Sequence, residues 1–474
     1  MAGPGQIASL IFDLNLQTTT AYSSGGRKQT EMQPTRRKAA LCLPNISSAA
    51  ALAFAALLIV VSLSVYGLSQ TYQVIHEFSY GTGGDWPWSE LTIGPGGHMY
   101  GTTLFGGDSH SFYCYYGCGI VYDIHQRDSS WIFTPLHEFL IQEGSNPHSG
   151  VIIGPDGAFY GTTLMGGMQG SDCDVGGCGT VYKIQPSASR PTTPILNWGL
   201  NVVYYFTGGD NDGGDPSSSL VQDQAGNMYG ADSGGPDNCG LVFQLNRNNG
   251  YWTFNEIYNG FYCPDGNAGI DPGGLLVDSQ GNLYGVTGNG GHLSCPYSQY
   301  GCGSVFKLTH TDGGWVGSTL YEFNGPTDGA YPGGLVMDRA GNLYAGTEMG
   351  GPYGGGTVWE LSPSGGGWTF RVLHSFSSSE NIAGVVGRLA MDSGGSLYGV
   401  TMSEGLYGFG NIFKLAPSDG GWTYTSLYDF CAGGYPCSDG GAPLRGPTLD
   451  SNNNLFGTAS EGGIGAGVIW EITP

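Results

Sequence analysis

The feature that most constrains this chain is a tandem repeat of four short apolar runs separated by glycine-rich breaks, clearest at residues 333–376. The most recognisable run reads Leu-Tyr-Gly or a close variant, and its aromatic residue recurs as Tyr100, Tyr160, Tyr229, Tyr284, Tyr344, Tyr398 and Phe456. Asp, Asn and Gly fill the break before most copies, and these residues favour tight hairpins because they tolerate positive φ. The repeat therefore predicts seven antiparallel sheets of four strands each.

The two ends of the repeat region complement each other. The last apolar run is missing from the seventh copy, whereas an extra one, YQVIHEF, stands at residues 72–78. Sheets arranged radially form a β-propeller, and a solenoid would instead need capping repeats. An open edge strand is a liability, so we expect residues 72–78 to complete the last sheet. We predict an all-β fold, a seven-bladed β-propeller over residues 71–474 closed by the N-terminal strand; an array of β-sandwiches is the alternative.

The repeat unit also carries a family resemblance. The pattern D-x-x-G-N-L-Y-G, followed by G-T-V-F-K-L and then L-H-x-F, resembles the GloVer tandem repeats of bacterial surface proteins. It is distantly similar to NHL-type propeller repeats as well. The resemblance covers residues 72–474 and implies a propeller at the cell surface. The GloVer family has no assigned activity, so the resemblance implies no catalytic residues.

A long apolar segment precedes the repeats. Residues 49–68 carry no charge, and a segment of that length is enough to span a bilayer as a helix. The basic residues Arg36, Arg37 and Lys38 lie before it, which predicts that residues 1–48 form a disordered, basic cytoplasmic tail. We predict one N-terminal helix over residues 49–68, either a transmembrane signal-anchor or a signal peptide that is cleaved.

The charge of the chain excludes one class of partner. Its formal net charge is −23. Five of the 15 basic residues and two of the 38 acidic residues precede residue 70, which leaves −26 for the rest. Nucleic-acid binding needs a basic footprint, so we expect no nucleic-acid partner. We expect a monomer whose ligand is a glycan or a surface protein.

The cysteines predict an oxidising compartment. Ten of them follow the apolar segment: Cys114, Cys118, Cys173, Cys178, Cys239, Cys263, Cys295, Cys302, Cys431 and Cys437. Eight form close pairs along the sequence, and Cys239 and Cys263 fall in two loops that lie on the same face of a propeller. An even number of cysteines beyond an export signal predicts disulfides. Zinc is the rival, but no CxxC motif occurs and histidines do not accompany the cysteines, so we predict no metal site.

The long insertions fall in two loop classes on one face of the predicted propeller, and binding residues tend to lie on such loops. Candidate ligand-face residues are Tyr113, Tyr115, Tyr116, Asp212, Tyr297 and Tyr300. Aromatic rings with carboxylates between them suit sugars. For the Asp-Gly sequences, however, turn chemistry is the stronger interpretation. Residues 210–215, DNDGGD, match a calcium loop only weakly because no distal Glu follows.

No catalytic residues or cofactors are predicted. The strands expected to line the central channel are nearly uncharged, apart from Glu90 and Arg388, which could pair across it. An enzyme would need paired carboxylates or a nucleophile beside a base. We predict a non-catalytic extracytoplasmic binding or scaffold propeller that takes its ligand through the loop-rich face. The alternative is a propeller carbohydrate-active enzyme, either a glycoside hydrolase or a lyase.

Overall fold

The structure is a computed structural model that describes residues 70–107, 114–167, 173, 176–186, 198–209, 212–235, 239–248, 250–261, 274–291, 294–377 and 384–474. These residues form seven antiparallel sheets, the seven-bladed β-propeller that the repeat predicted. Within the described ranges no α-helix occurs, and the only helical element is a 3-10 turn at Pro95–Gly97.

The chain enters the propeller with β1 (Thr71–Glu77), which belongs to the last blade. Blade 1 then contains β2 (Asp85–Pro87), β3 (Thr92–Ile93), β4 (Met99–Phe105), β5 (Ile120–Arg127) and β6 (Ser130–Glu138). Blade 2 contains β7 (Ile152–Ile153), β8 (Phe159–Thr163), β9 (Thr180–Pro186) and β10 (Trp198–Tyr205). Blade 3 contains β11 (Val221–Gln222), β12 (Met228–Asp232), β13 (Leu241–Asn248) and β14 (Tyr251–Tyr258).

The remaining four blades repeat this order from an inner strand to an outer strand. Blade 4 contains β15 (Leu276–Val277), β16 (Leu283–Thr287), β17 (Ser304–Thr311) and β18 (Gly314–Glu322). Blade 5 contains β19 (Ala330–Pro332), β20 (Val336–Met337), β21 (Leu343–Met349), β22 (Gly354–Ser364) and β23 (Gly367–Ser377). Blade 6 contains β24 (Val385–Met391), β25 (Leu397–Thr401), β26 (Asn411–Ser418) and β27 (Gly421–Asp429). Blade 7 contains β28 (Thr448–Leu449), β29 (Leu455–Ala459), β30 (Val468–Thr473) and, as its outer strand, β1.

The N-terminal strand closes the ring, as predicted. β1 pairs antiparallel with β30, from Thr71 opposite Thr473 to Glu77 opposite Val468. The Tyr72 ring of β1 stacks on Tyr428 of blade 6 at 3.6 Å between centroids. On the other side of β1, the His76 ring stacks on Phe133 of blade 1 at 3.9 Å between centroids. The strand that completes blade 7 therefore also joins both neighbouring blades.

The hydrophobic core lies between blades. Within the described residues, one cluster of buried side chains occupies each of the seven blade interfaces. The cluster between blades 4 and 5, for example, joins Phe323 to Trp359, both fully buried. Alternation along the strands explains this arrangement, because each central strand presents large apolar residues to both neighbouring blades.

A recurrent aspartate holds the hairpin between the inner and second strands. In blade 5, the Asp338 carboxylate accepts hydrogen bonds from the Asn342 amide N–H at 2.9 Å and side-chain amide at 2.8 Å, and from the Tyr344 hydroxyl at 3.2 Å. The Asp-x-x-Gly-Asn-x-Tyr sequence thus encodes one hydrogen-bonded turn. It recurs in blades 3 and 4 with Asp223 and Asp278.

A proline and the residue before it connect the blade-to-blade loop to the preceding blade. In five loops the residue before proline has a positive φ, namely Trp86, Asn146, Asp215, Tyr331 and Ala442. Each of these amides donates to a carbonyl of the preceding blade at 2.9–3.1 Å. The proline packs on the glycine that opens the third strand, so a Cβ on Gly119 would lie 2.6 Å from Pro147 Cδ. Glycine at the start of the third strand thus leaves room for the proline in these loops.

Residues 1–69 lie outside the described residues, so the predicted tail and the segment 49–68 remain predictions. In the part of the chain that the structure describes, no helix is long and apolar enough to cross a membrane.

Candidate functional site

A cavity of about 330 Å³ lies at the centre of the ring. Residues from all seven blades or the loops that lead into them line it: Glu90, His148, Gly150, Ser217, Ser218, Ser219, Gly274, Gly288, Asn289, Tyr331, Pro332, Gly333, Gly334, Glu348, Gly387, Arg388 and Arg445. The sequence predicted Glu90 and Arg388 here and missed Glu348, His148 and Arg445. Two of the few cations of an acidic propeller thus line its central cavity.

The two channel residues predicted from the sequence do meet. Glu90 Oε1 accepts a hydrogen bond from the Arg388 backbone N–H at 3.2 Å, rather than from its guanidinium. The Arg388 guanidinium instead donates through Nη2 to the Leu275 carbonyl at 2.9 Å. Its Nε is buried and has no hydrogen-bond partner among the described residues. A donor of this kind in a cavity wall suits a ligand oxygen.

Arg445 is held beside an aromatic pair. Its Nε donates to the Trp88 carbonyl at 3.1 Å, and Nη2 lies 3.2 Å from both the carbonyl and Nδ1 of His148. Burial, followed by the nearby Arg445 charge, lowers the pKa of His148 to about 3. His148 is therefore neutral at pH 7, so its Nδ1 can accept the guanidinium hydrogen bond.

A line of aromatic rings runs from this cavity edge to the exposed loop of blade 1. We name it the aromatic track; its rings, in order, are Trp88, Trp86, Phe105, Tyr116 and Tyr115. Neighbouring centroids lie 5.0–6.1 Å apart, and Trp88 approaches His148 at 5.1 Å. Trp86, Tyr116 and Tyr115 are 42%, 64% and 76% exposed, whereas Trp88 and Phe105 are half-buried.

The backbone sets the positions of these rings. Trp86 precedes Pro87 with a φ of 54°, a conformation unusual for a bulky residue. Its amide donates to the Ala466 carbonyl at 3.1 Å, so the contact between blades 7 and 1 holds it there. The pairing of Asp85 with Phe105 brings β2 beside β4 and thus places Trp86 near the Phe105 ring. Because the residue before proline adopts this conformation in five loops, it is a feature of the fold, and what distinguishes blade 1 is the large aromatic ring at this position.

The disulfide loop of blade 1 presents the outer end of the track. Tyr115 and Tyr116 lie between Cys114 and Cys118, which are bonded to each other. The predicted candidate Tyr113 lies outside the described residues. Tyr297 and Tyr300 are half-buried in the corresponding loop of blade 4, and their rings are not part of the aromatic track. The structure therefore brings together two of the predicted tyrosines.

Asp212 has a different environment from the one expected of a ligand-face residue. It is only 5% exposed, and its carboxylate accepts hydrogen bonds from the Tyr204 hydroxyl and from the backbone and hydroxyl of Thr207 at 2.8–2.9 Å. The Asp328 and Asp439 carboxylates likewise accept hydrogen bonds from the tyrosine hydroxyls of the outer strands that precede them, β18 and β27. Turn chemistry accounts for these contacts. Asp210 lies outside the described residues, so the calcium loop remains a prediction.

Four of the predicted disulfides are present, Cys114–Cys118, Cys173–Cys178, Cys295–Cys302 and Cys431–Cys437. Cys239 is also disulfide-bonded, whereas Cys263, its expected partner, lies outside the described residues. Disulfides persist in oxidising compartments, so these bonds indicate an extracellular environment.

The chain belongs to the family of the Gloeobacter/Verrucomicrobia repeat. The family model of the Gloeobacter/Verrucomicrobia repeat matches residues 111–295 and again residues 293–474, which together exceed half of the chain. The resemblance inferred from the repeat unit is thus confirmed, and the family membership agrees with the seven sheets of the structure.

Other comparisons give local or distant similarity. A xyloglucanase of Paenibacillus sp. is 34% identical over 138 residues, which span 28% of this chain and 12% of the xyloglucanase. An ulvan-degrading polysaccharide lyase is 12% identical, with 75% of this chain and 86% of the lyase covered at a TM-score of 0.47. The extracellular domain of a hybrid two-component system of B. thetaiotaomicron is 10% identical, with 86% and 43% covered at a TM-score of 0.49. No activity of this chain follows from such values.

Proposed function

We propose that this protein is an extracytoplasmic glycan-binding propeller that takes a polysaccharide along the aromatic track and into the mouth of the central cavity. The observation that carries the proposal is the continuity of the rings, from exposed Tyr115 to Trp88, whose ring lies 5.1 Å from that of the cavity residue His148. Tyr and Trp present an apolar face together with a polar group, which suits a sugar ring with one apolar face and a hydroxyl edge.

The cavity supplies the polar part of such a site. Glu90, Asn289 and Ser219 line it, and Arg388 offers a buried Nε–H without a partner among the described residues. Ligand sites typically combine apolar walls with a few placed polar groups. These polar groups favour a ligand rich in hydroxyl oxygens.

The charge of the chain favours a neutral polysaccharide. With a net charge of −23, it repels polyanions at low ionic strength. The local similarity to a xyloglucanase supports a neutral glucan as the first probe. Xyloglucan is therefore the ligand we propose to test, with ulvan as the anionic comparison.

Binding without catalysis is the preferred form of this proposal. Glu90 accepts a backbone hydrogen bond, and backbone carbonyls fix both guanidinium groups of the cavity. One observation favours the alternative of a carbohydrate-active enzyme, because two carboxylates, Glu90 and Glu348, line the same cavity. Release of reducing or unsaturated ends from xyloglucan or ulvan, lost on substitution of either glutamate, would establish that alternative.

The test compares the full-length protein with two variants of the track by isothermal titration against xyloglucan oligosaccharides. Trp86→Asn places at this position the residue found in blade 2, and Tyr115→Ala/Tyr116→Ala removes the outer rings. We expect each to weaken binding at least ~5-fold, because truncation of an aromatic residue that contacts a ligand costs roughly 1 kcal/mol or more. Tyr251→Ala is the matched control, since Tyr251 is 80% exposed at a turn between third and outer strands, on the opposite face. Binding of neither glycan by the wild type, or equal affinities in all four proteins, would remove the proposal.

We also propose that residues 49–68 tether the propeller to the membrane with the disulfide-bonded domain outside the cytoplasm. The uncharged length of the segment and the basic residues before it support this orientation. Fractionation of producing cells tests the tether. Recovery of the full-length chain in carbonate-washed membranes is expected, whereas a soluble secreted form that begins after residue 68 would show a cleaved signal peptide.

A further inference from the structure

The turn face of blade 1 carries two histidines around one aspartate. His98 lies before β4, whereas Asp123 and His125 lie on β5. His98 Nδ1 is 2.9 Å from Asp123 Oδ1 and 3.0 Å from Oδ2, and His125 Nδ1 is 3.0 Å from Oδ2. The two imidazole rings approach at 4.2 Å between centroids. Because successive strands are antiparallel, this cluster lies at the end of the blade opposite the disulfide loop.

The cluster replaces a network that other blades keep. At the position of His98, four blades have the asparagine that binds the turn aspartate: Asn227, Asn282, Asn342 and Asn454. The turn of blade 1, GPGG at residues 94–97, has no aspartate. Its carboxylate stands instead on the third strand, as Asp123. Blades 2, 4 and 6 have lysine at this position and blades 5 and 7 have glutamate: Lys183, Lys307, Lys414, Glu360 and Glu471. Blade 1 thus differs from blades 5 and 7, which also have a carboxylate on the third strand, by the two imidazoles placed beside it.

We propose that His98, Asp123 and His125 form a binding site for one divalent transition-metal ion of the zinc class. Imidazole nitrogens with one carboxylate are ligands typical of zinc and neighbouring first-row ions. Donor atoms that share an ion at ~2.1 Å lie about 3.0 to 3.4 Å apart, close to the observed contacts. All three candidate ligand atoms lie within 4.8 Å of one another. Among the described residues, no other group of three such side chains meets this limit.

Access and charge agree with this assignment. Asp123 has a side-chain exposure of 10%, whereas His98 and His125 have 36% and 23%, so an ion can enter from solvent past the two rings. Among the described residues, the ion-pair partners of the Asp123 carboxylate are the two histidines. Three protein ligands leave at least one coordination position for water or for a donor from a bound molecule.

The test is a titration of the metal-stripped, full-length protein, purified without a polyhistidine tag, with zinc chloride. The variants His98→Asn and His125→Gln take the residues that other blades carry at these positions, so both are expected to fold. His310→Gln, on the exposed end of β17, is the control for a single surface histidine. Cobalt(II) serves as a spectroscopic probe, because its visible absorption reports the coordination of the bound ion.

We expect one zinc ion per chain in the wild type and the control, and at least ~10-fold weaker binding in each of the two variants. The wild type should also unfold at higher temperature with zinc, and this shift should be lost in the variants. Absence of stoichiometric binding to the folded wild type, or unchanged affinity in both variants, would overturn the site and leave a hydrogen-bonded cluster. Xyloglucan binding by His98→Asn should equal that of the wild type, which separates this proposal from the glycan site.

Discussion

Blades 1 and 5 have the same strand order but differ at both ends of the sheet. Blade 5 keeps the Asp338 hairpin at one end and a short glycine loop, residues 350–356, at the other. Blade 1 has the histidine–aspartate cluster in place of the hairpin network and the disulfide loop with Tyr115 and Tyr116 in place of the glycine loop. The β-strands between these ends pair in equivalent register. Function is therefore expected where a blade departs from the repeat, and stability where it conforms.

The largest expected effect is a loss of stability from a substitution in blade 5, which conforms to the repeat. Trp359 is fully buried between blades 4 and 5, so Trp359→Ala should lower the free energy of unfolding by about 3–5 kcal/mol. Xyloglucan affinity of the remaining folded protein should be unchanged, because the aromatic track lies in blade 1. Thermal unfolding and titration at a temperature where the variant is folded measure both. A large loss of affinity at this position would show that the two blades are coupled.

The disulfide of blade 1 should affect both properties. Cys114→Ser/Cys118→Ser removes a short covalent loop, which costs about 2 kcal/mol of stability by the chain-entropy estimate. It should also weaken xyloglucan binding several-fold, since the loop holds the outer rings of the track. The control Cys295→Ser/Cys302→Ser, in blade 4, should lose similar stability and keep its affinity. Equal affinity of both double variants would mean that the bond does not position Tyr115 and Tyr116.

Acid should weaken the interface of blades 7 and 1 more than that of blades 4 and 5. Burial lowers the pKa of His76 to about 4, below its ordinary value of 6.5, so the unfolded chain binds a proton more readily. Stability from neutral His76 is thus complete above pH 6.5 and is lost as pH falls toward 4, by about 1–2 kcal/mol after solvent screening. Tyr321 stacks on Phe370 at the other interface without a histidine. His76→Phe should flatten the fall in melting temperature between pH 7 and 4, and an unchanged profile would contradict this role.

The sequence predicted the fold because its repeat specifies contacts that recur at every blade. The Asp338–Asn342 hairpin and the closing run YQVIHEF are both local patterns whose meaning is fixed by the period. Tyr115 and Tyr116 were predictable because two cysteines flank them. Trp86 was not predicted, since its neighbours on the track come from separate segments that only strand pairing brings together.

The histidine–aspartate cluster was missed for a related reason. His98 and Asp123 are 25 residues apart and meet because Met99 lies opposite Ile124 in the sheet. The signal was present, however, in the alignment of blade 1 with the other copies. A turn without aspartate, a histidine in place of asparagine, and a second histidine two residues after the third-strand carboxylate occur together in blade 1. A comparison of blade 1 with the other repeats, position by position, would have identified the histidine–aspartate cluster.

The smallest expected effect tests the comparison most directly. Tyr353 is 66% exposed in the glycine loop of blade 5, at the end of the sheet that corresponds to the disulfide loop of blade 1. Tyr353→Ala should change the free energy of unfolding by less than ~0.5 kcal/mol, as is usual for exposed positions. It should also leave xyloglucan affinity unchanged, because Tyr353 has no aromatic neighbour that continues toward the cavity among the described contacts. A loss of affinity equal to that of Tyr115→Ala/Tyr116→Ala would mean that the ligand surface extends around the whole loop-rich face. Blades 1 and 5 would then differ in function only at the proposed metal site.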